Sequence, residues 1–342
     1  ENTTLVIKDE SEDKTGKVVI EDTNNDGKAT GGINNNGIIS AEDGIITTDV
    51  ITNGENALDL ITVAEGFAKD ANDVYYILEK VGMFSFAEYV NDGNTLLNKI
   101  VKLNVNVDLA GEEWTPIGTS SKPFNGTFDG QNKKISNLVI TGNKSDVGLF
   151  GVTTNGEIKN LVVENAKVSG DLNVAVVAGT PYTSKYNNIT VQGHVEINGF
   201  SYVGAVGGKN AYANWTDITV NVDETSYVNA NSVEGSKAYR TYVGGICGFN
   251  GEGGHSFTNI TSNIDVKGST CDVGGLFGIA HYGNNFDNCS CSADVEIYAT
   301  EDAVDAQEIG GIAGVWHNQD GQTVTMINCT FTGTLKTNIA DV

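Results

Sequence analysis

The sequence predicts an all-β protein that folds as a parallel β-helix, a solenoid of stacked coils. Three observations lead to this class: a glycine-rich motif that recurs six times, an apolar-x-Asn-apolar step after each copy, and strand-forming residues between them. The six copies begin at Val147, Val174, Val203, Val243, Val273 and Ile309. One such unit cannot bury its own apolar face, so stacking is what gives the repeat a core.

The asparagine steps set the length of the repeat. Their third position is occupied by Asn137, Asn160, Asn188, Asp217, Asn259, Asn288 and Asn328. The intervals are 23, 28, 29, 42, 29 and 40 residues, so a base unit near 28 recurs, and the two long intervals, 217 to 259 and 288 to 328, predict loop insertions. We expect these residues to form a column at a bend, where each side-chain amide hydrogen-bonds to the backbone and stacks on its counterpart in the next coil. Several members fall in Asn-x-Ser/Thr sequences, which we interpret as a by-product of threonine-rich strands rather than glycan acceptors.

The segments between motifs favour strands. Residues 161–163, 189–191 and 218–220 alternate or are β-branched, and helical periodicity is absent there. The chain has 42 glycines, too many for helix interiors, and only 3 prolines to interrupt a ladder. The motif glycines have two candidate roles: they supply positive φ at corners, or they let neighbouring coils approach closely.

The chain divides into two regions by repeat content. Residues 1–80 lack the glycine motif and predict a β-rich cap or a small separate domain, whereas residues 81–342 form the repeat solenoid. The best helix candidate is 83–90, with Ser85 as its cap, Glu88 as the capping-box partner and Asp92-Gly93 at its end.

The composition limits the partners. The formal charge is −24, from 44 acidic and 20 basic residues, and Arg240 is the single arginine. Nucleic acid is excluded as a partner, because neutralising phosphates needs clustered basic residues. Carboxylated or sulfated sugars are disfavoured for the same reason. No stretch approaches 18 apolar residues, so no membrane span is predicted.

The chain has five cysteines, and an odd count in a chain of this size does not indicate a disulfide framework. Cys289 and Cys329 occupy the apolar slot after the asparagine, so we predict that both are buried and close together, bonded or not. Cys289 and Cys291, two residues apart on a strand, share one face, and core packing is favoured for both.

One segment resembles half of a calcium loop. Asp22, Asn24 and Asp26 place oxygen ligands at positions 1, 3 and 5, followed by Gly27. The twelfth position is Ile33, so the bidentate carboxylate is missing, and Asx-turns explain the same residues without metal. Calcium is the one cofactor that the sequence suggests.

The repeats resemble the GLUG-motif repeats of bacterial surface proteins, which are named for a Gly-Leu-apolar-Gly core. Residues Gly148-Leu149-Phe150-Gly151 match that core directly. The lead-in, residues 114–118, 124–130 and 135–138, is similar as well, and the resemblance covers 81–342. It implies a right-handed parallel β-helix on exported, surface-attached, adhesin-like proteins. The copy at 174–179 departs from the motif, because it lacks the second-position glycine.

The function favoured by the sequence is a non-catalytic, monomeric protein of the bacterial cell surface that binds an extracellular protein or glycan. The candidate contacts are Tyr239, Arg240 and Tyr242 in the 217–259 insertion, where the arginine is suited to forked hydrogen bonds and stacking. Arg240 also has a simpler role open to it, which is to pair with an acidic residue and pin the loop. Further aromatics are expected at the surface: Tyr182, Tyr186, Tyr212, Tyr282 and Trp316.

Two other functions stay open. A β-helical glycoside hydrolase needs only two suitably spaced carboxylates, and a polysaccharide lyase needs a base beside acidic metal ligands. The histidines His194, His255, His281 and His317 are scattered, and no catalytic triad stands out. The second alternative is a structural stalk that displays another domain, against which the two irregular intervals argue mildly. Trp215, in the apolar column, is expected in the core.

Overall fold

The computed structural model describes residues 5–7, 38–41, 58–231, 241–251, 253–269, 271–298, 308–317 and 321–337. Over these residues the chain is a parallel β-helix of about seven turns, which confirms the predicted fold class. The calcium motif, Asp22, Asn24 and Asp26, lies outside the described residues, as do Tyr239 and Arg240.

The described strands form sheets of 19, 6 and 5 strands. The large sheet contains β1 (Leu5–Ile7), β2 (Ile38–Ala41), β3 (Leu58–Ala64), β4 (Phe67–Lys69), β5 (Val74–Ile77), β6 (Ile100–Leu103), β7 (Val107–Asp108), β8 (Thr127–Ile140), β10 (Glu157–Ser169), β13 (Lys185–Gly199), β16 (Asn214–Val222), β17 (Tyr227–Ala230), β20 (Ser256–Ser262), β21 (Asp265–Ser269), β24 (Asn285–Cys291), β25 (Val295–Tyr298), β28 (Thr325–Ile327), β29 (Thr330–Phe331) and β30 (Leu335–Thr337). The six-stranded sheet contains β9 (Phe150–Thr154), β12 (Ala178–Tyr182), β15 (Gly207–Ala211), β19 (Cys247–Gly251), β23 (Phe277–His281) and β27 (Ala313–His317). The five-stranded sheet contains β11 (Leu172–Val174), β14 (Ser201–Val203), β18 (Thr241–Gly244), β22 (Cys271–Gly274) and β26 (Ile309–Gly310).

The large sheet has two arms in the repeat region. β13 pairs with β16 along its first half and with β17 along its second half. The first arm continues through β20 and β24, and the second arm continues through β21 and β25. Each coil therefore passes from the first arm to the second arm, then to the five-stranded and six-stranded sheets.

The glycine motifs lie in one column, as predicted. The last five motifs run from the five-stranded sheet into the six-stranded sheet, and the first is joined to them by a bridge between Val147 and Val174. In the six-stranded sheet the equivalent residues are register partners: Phe150, Ala178, Gly207, Cys247, Phe277 and Ala313. Equivalent motif positions therefore stack on one another from coil to coil, although the residue at this position varies.

The structure decides between the two candidate roles of the motif glycines. A Cβ added at Gly248 would lie 2.3 Å from the backbone nitrogen of Val203. A Cβ added at Gly278 would lie 2.6 Å from the backbone nitrogen of Val243. Neither glycine has a positive φ. Close approach of the six-stranded sheet to five-stranded-sheet backbone is therefore the reason for glycine here.

The asparagine column forms a ladder on the outside of the first arm. Its members all have positive φ: Asn160, Asn188, Asp217, Asn259, Asn288 and Asn328. Asn188 Nδ2 donates to Asn160 Oδ1 at 2.9 Å, and Asn288 Nδ2 donates to Asn259 Oδ1 at 2.8 Å. Asn and Asp tolerate this left-handed conformation better than other side chains, which explains the column. The hydrogen bonds of the ladder engage the side-chain nitrogen to which a glycan would be attached, in agreement with a structural role for the Asn-x-Ser/Thr sequences.

One member of the predicted column was misplaced. Asn137 lies one rung from Asn165, and Asn165 Nδ2 donates to Asn137 Oδ1 at 3.4 Å. Asn160 instead lies in the column of Asn132, since Asn188 Nδ2 bonds both of their side chains. The chain thus carries a second asparagine bend, and the short interval from Asn137 to Asn160 compares positions in different columns.

The one helix among the described residues, α1 (Lys80–Asn91), packs against the core at the N-terminal side of the coils. It starts earlier than predicted, and Ser85 does not cap it, because the Ser85 hydroxyl donates to the Glu65 carbonyl at 2.7 Å. The predicted end is correct: Asp92 is the C-cap and Gly93 has φ 115°. β3, β4 and β5 form an antiparallel meander that joins the same sheet. The division at residue 80 stays a prediction.

The cysteine prediction is correct in part. Cys289 and Cys291 are buried, and burial raises the pKa of Cys289 to about 12. Cys329 lies on the next rung, beside Cys289, and both are free thiols. Cys329 is only half-buried, because it belongs to the last described coil. Met326 and Ile327, in the same coil, are 43% and 51% exposed.

Candidate recognition surface

Aromatic side chains form a surface where the five-stranded and six-stranded sheets meet. We call it the tyrosine platform and define it as Tyr202, Tyr242, Phe249 and Lys209. Val203 and Val243 are register partners, so the tyrosines that precede them lie side by side on adjacent rungs. Their rings are parallel, with 5.7 Å between centroids and 7° between planes. All four side chains are partly exposed.

Phe249 and Lys209 complete the platform. The Phe249 ring meets Tyr202 and Tyr242 edge-on, with centroids 5.2 and 5.4 Å away. Lys209 Nζ lies 5.5 Å from the Tyr202 centroid and 5.7 Å from the Phe249 centroid, in cation–π range of both rings. The platform thus combines flat apolar faces with a mobile hydrogen-bond donor.

Tyr202 is held in an unfavourable backbone conformation. Its φ is 59°, in the left-handed region that bulky residues avoid, at a cost of about 1–2 kcal/mol. Asp146 and Asn173 occupy the same corner in the preceding coils with φ 57° and 58°. Asn173 Nδ2 donates to Asp146 Oδ1 at 2.6 Å, so those coils continue the usual polar ladder. The left-handed conformation is thus retained while the side chain that suits it is replaced by an aromatic ring, and such strain is typical of functional positions.

The structure places one of the three predicted ligand contacts. Tyr242 belongs to the platform, whereas Tyr239 and Arg240 lie outside the described residues. The extra length of the 217–259 interval falls between β17 and β18, directly before Tyr242. Tyr202, Phe249 and Lys209 were not predicted from the sequence. An alignment of the position before the first motif residue would have shown tyrosine in two consecutive copies, at Tyr202 and Tyr242.

The remaining aromatics divide between surface and core. Tyr182 and Tyr212 are 43% and 39% exposed and meet edge-on at 5.6 Å, as expected of surface residues. Tyr186 was expected at the surface but is buried, with its hydroxyl 2.8 Å from Thr153 Oγ1. Its position in the apolar slot before the asparagine explains the burial. Trp215 is fully buried in the same column, as predicted.

A polar cluster on the second arm is the most enzyme-like arrangement in the described chain. His194 Nδ1 lies 3.2 Å from Asp223 Oδ2, and His194 Nε2 lies 3.1 Å from Glu196 Oε1. The carboxylates of Glu196 and Asp223 raise the pKa of His194. Hydrogen bonds from Lys167 and His194 lower the pKa of Glu196. The cluster borders an open groove of about 360 Å³ lined in part by Lys167 and Glu196.

The geometry of this cluster differs from that of a catalytic triad. Ser226 Oγ donates to Asp223 Oδ1 at 2.9 Å and accepts from the Val195 backbone nitrogen at 2.9 Å. The serine is therefore tied to the carboxylate rather than activated by the histidine. Hydrogen bonds from Thr225 and Ser226 lower the pKa of Asp223, whereas a glycosidase general acid needs a raised pKa. The arrangement is that of an ion-pair network.

Across the described residues, no group of three or more His, Cys, Asp or Glu side chains is arranged to hold a metal ion. The part of the chain with described structure contains no helix long and apolar enough to cross a membrane.

The fold and its surfaces define the chain as a parallel β-helix protein with exposed aromatic groups. No protein-family model matches it. Halomucin from Haloquadratum walsbyi is 32% identical over 123 residues, an alignment that covers 32% of this chain and 1% of Halomucin. A crystal structure of a candidate immunoglobulin A1 protease from Bacteroides ovatus has a TM-score of 0.47 and 16% identity, covering 79% of this chain and 69% of that chain. The chain spans a very small part of Halomucin, and neither similarity assigns it a function.

Proposed function

We propose that this chain is a non-catalytic, adhesin-like surface protein that binds a glycan or protein ligand at the tyrosine platform. The observation that carries the proposal is the parallel Tyr202–Tyr242 pair, 5.7 Å apart, with Tyr202 held at φ 59°. A β-helix corner that carries a polar pair, Asp146 and Asn173, in the two preceding coils carries two aromatic rings here, although its first tyrosine keeps the left-handed conformation that suits asparagine. Tyr239 and Arg240, shortly before Tyr242 in the sequence, stay candidate contacts.

The chemistry of the platform suits recognition. Aromatic faces stack on the apolar face of sugar rings, and tyrosine dominates the energetics of many protein interfaces. Lys209 adds a donor that reaches over the Tyr202 and Phe249 rings. The formal charge of −24 suits a protein exposed to a salty exterior, and the GLUG resemblance supports the same location.

The alternative functions have less support. The His194 cluster lacks both an activated serine and a carboxyl group with a raised pKa, so hydrolase chemistry has no clear starting point there. A plain stalk would not need a strained tyrosine at a corner where Asn173 fits without difficulty. Both observations favour ligand binding.

The test is a binding screen of the labelled chain against a glycan array and a panel of extracellular matrix proteins. Tyr242→Ala and Tyr202→Asn remove the two rings, and asparagine preserves the left-handed corner. We expect each variant to lose at least tenfold in affinity for the ligand that the parent captures, about 1.4 kcal/mol. Tyr182→Ala is the control, because Tyr182 is exposed but lies outside the platform.

A third variant tests the neighbouring insertion. Residues 232–240 are replaced by a short glycine linker, and binding of the same ligand is measured. We expect a further loss of affinity if Tyr239 and Arg240 contribute contacts. Unchanged binding by all three variants, with unchanged urea unfolding, would reject the platform as the recognition surface.

A further inference from the structure

A second groove lies on the outer face of the second arm, on a different sheet from the tyrosine platform. We call it the amide groove. Its volume is about 390 Å³, and it is lined by Asn198, Tyr227, Asn229, Lys267, Glu296 and Tyr298. Asn198, Asn229, Lys267 and Glu296 are successive register partners on β13, β17, β21 and β25. Outward side chains from four consecutive rungs thus form its floor.

The length of the floor follows from the strand spacing. Four rungs at about 4.8 Å each extend over roughly 14 Å along the solenoid axis. Tyr227 lies on β17, the second of the four rungs, and Tyr298 lies on β25, the fourth. A linear ligand aligned with the axis would therefore meet two aromatic side chains that start two rungs apart.

The groove is rich in amide and hydroxyl groups with hydrogen-bonding capacity to spare. Asn229 Nδ2 donates to Asn198 Oδ1 at 3.3 Å, and Asn198 Nδ2 donates to the Tyr227 hydroxyl at 3.3 Å. The Tyr298 hydroxyl lies within hydrogen-bond distance of two acceptors, Asn229 Oδ1 at 3.1 Å and Asn231 Oδ1. Each amide nitrogen has two hydrogens, and bonds of 3.3 Å are longer than the preferred length. Ligand hydroxyls can therefore join or replace these bonds at small cost.

The charges of the groove cancel. Lys267 and Glu296 are register partners on neighbouring strands, so they contribute one positive and one negative charge side by side. The protein as a whole carries −24, and its field repels anionic chains. A ligand selected by this groove is therefore neutral and rich in hydroxyl groups, with faces that can stack on tyrosine.

We propose that the amide groove binds a neutral, linear oligosaccharide laid along the solenoid axis. Sugar rings pack against Tyr227 and Tyr298, and their hydroxyls exchange hydrogen bonds with Asn198 and Asn229. Lys267 and Glu296 supply one donor and one acceptor without net charge. This site goes beyond the tyrosine platform and does not depend on it, because the two surfaces share no residue.

The experiment is isothermal titration calorimetry, in which the heat of binding is measured as defined hexasaccharides are added to the full chain. The neutral probes are cellohexaose, mannohexaose, maltohexaose and chitohexaose, and hexagalacturonate is the anionic probe. We expect at least one neutral hexasaccharide to bind saturably, with little dependence on salt, and its disaccharide to bind at least tenfold more weakly. Hexagalacturonate is expected not to bind.

Variants locate the binding within the groove. Tyr227→Ala and Asn229→Asp are each expected to weaken binding at least tenfold, because one removes a ring and the other removes a donor. Tyr227→Phe retains the ring and is expected to lose less, which keeps the test valid if Tyr227→Ala folds poorly. Tyr242→Ala is the matched control, since it alters only the platform.

Three results would overturn the proposal. The first is that no neutral hexasaccharide binds the parent chain. The second is that hexagalacturonate binds as tightly as the neutral probes. The third is that folded groove variants bind like the parent, or that Tyr242→Ala abolishes the same binding, which would assign the sugar to the platform. Loss of platform binding alone leaves the groove result intact, so the two proposals fail separately.

Discussion

The glycine column and the asparagine ladder hold the same coils in register by different physical means. At Gly278, backbone atoms of neighbouring strands lie so close that any side chain would overlap them. At Asn288, the side chain is exposed and the requirement concerns φ, which is 54°. The first column limits the size of a residue and the second limits its backbone conformation. Tolerance to substitution should therefore differ sharply between two columns that look equally regular in the sequence.

The largest effect is expected for Gly278→Ala. The added Cβ would lie 2.5 Å from the Gly248 carbonyl oxygen and 2.6 Å from the Val243 nitrogen, and backbone cannot move away cheaply. We expect a loss of at least about 3 kcal/mol in the free energy of unfolding. Urea unfolding followed by circular dichroism measures it. Gly254→Ala is the control, because Gly254 has open space around it and only its φ of 87° opposes the change. Equal losses for the two variants would contradict the close-approach explanation.

A smaller effect is expected for a buried amide pair between β15 and β19. Asn210 Nδ2 donates to Asn250 Oδ1 at 2.8 Å, and both residues are fully buried. Asn250→Ala removes the acceptor and leaves the Asn210 amide without it, at a cost of about 1–3 kcal/mol. The double variant with Asn210→Ala should cost less than the sum of the single variants, since the stranded group is then removed too. Strict additivity in the unfolding measurements would show that the pair is not coupled.

The exposed ladder should be more tolerant. Asn288→Gly keeps access to positive φ and loses an exposed hydrogen bond to Asn259, so the expected change in unfolding free energy is within about 0.5 kcal/mol. Asn288→Ala must adopt φ 54° without a side chain suited to it and should cost about 1–2 kcal/mol. If Asn288→Gly proves as damaging as Asn288→Ala, the ladder bond matters more than the conformation.

The smallest effect concerns the exposed ion pairs around His194. Its pKa is raised above 6.5 by hydrogen bonds to Glu196 and Asp223, so charged His194 stabilises the folded chain at low pH. That contribution is present below pH 6.5 and is lost as the pH rises through the raised pKa. Because the side chain is 45% exposed, screening limits the effect to less than about 0.5 kcal/mol. Urea midpoints of parent and His194→Gln at several pH values measure it, and an identical pH dependence for both would exclude His194 as the source.

The sequence was sufficient for the fold because the repeat marks the same corner in each coil. Val243 and Val273, for example, could be aligned by eye and are register partners in the structure. The misassigned Asn137 shows the limit of this approach, since the coils with Asn137 and Asn165 carry a left-handed asparagine at a second bend as well. The end of α1 was predictable from Asp92-Gly93, whereas its start has no side-chain cap to mark it.

The sites were harder to predict, because they depend on register between distant segments. Asn229 and Tyr298, hydrogen-bonded in the amide groove, are 69 residues apart in the chain. Their alignment depends on the insertion between β17 and β18, whose length the repeat does not determine. Tyr242 was noticed because it lies beside the arginine, but its neighbour Tyr202 comes from the preceding coil. Which strand residues face outward was therefore the missing information.

The recurring spacing of the outer ladder also bears on how such a chain can change its length. Asn160 and Asn188 are separated by 28 residues, and Asn259 and Asn288 by 29, while each pair is bonded across one rung. Loss or duplication of one such unit in the gene would join edges that are already complementary. The rod would shorten or lengthen by about 4.8 Å with its cross-section unchanged. The length of the rod is thus a quantity that gain or loss of repeat units can adjust in small steps, without a new fold having to arise.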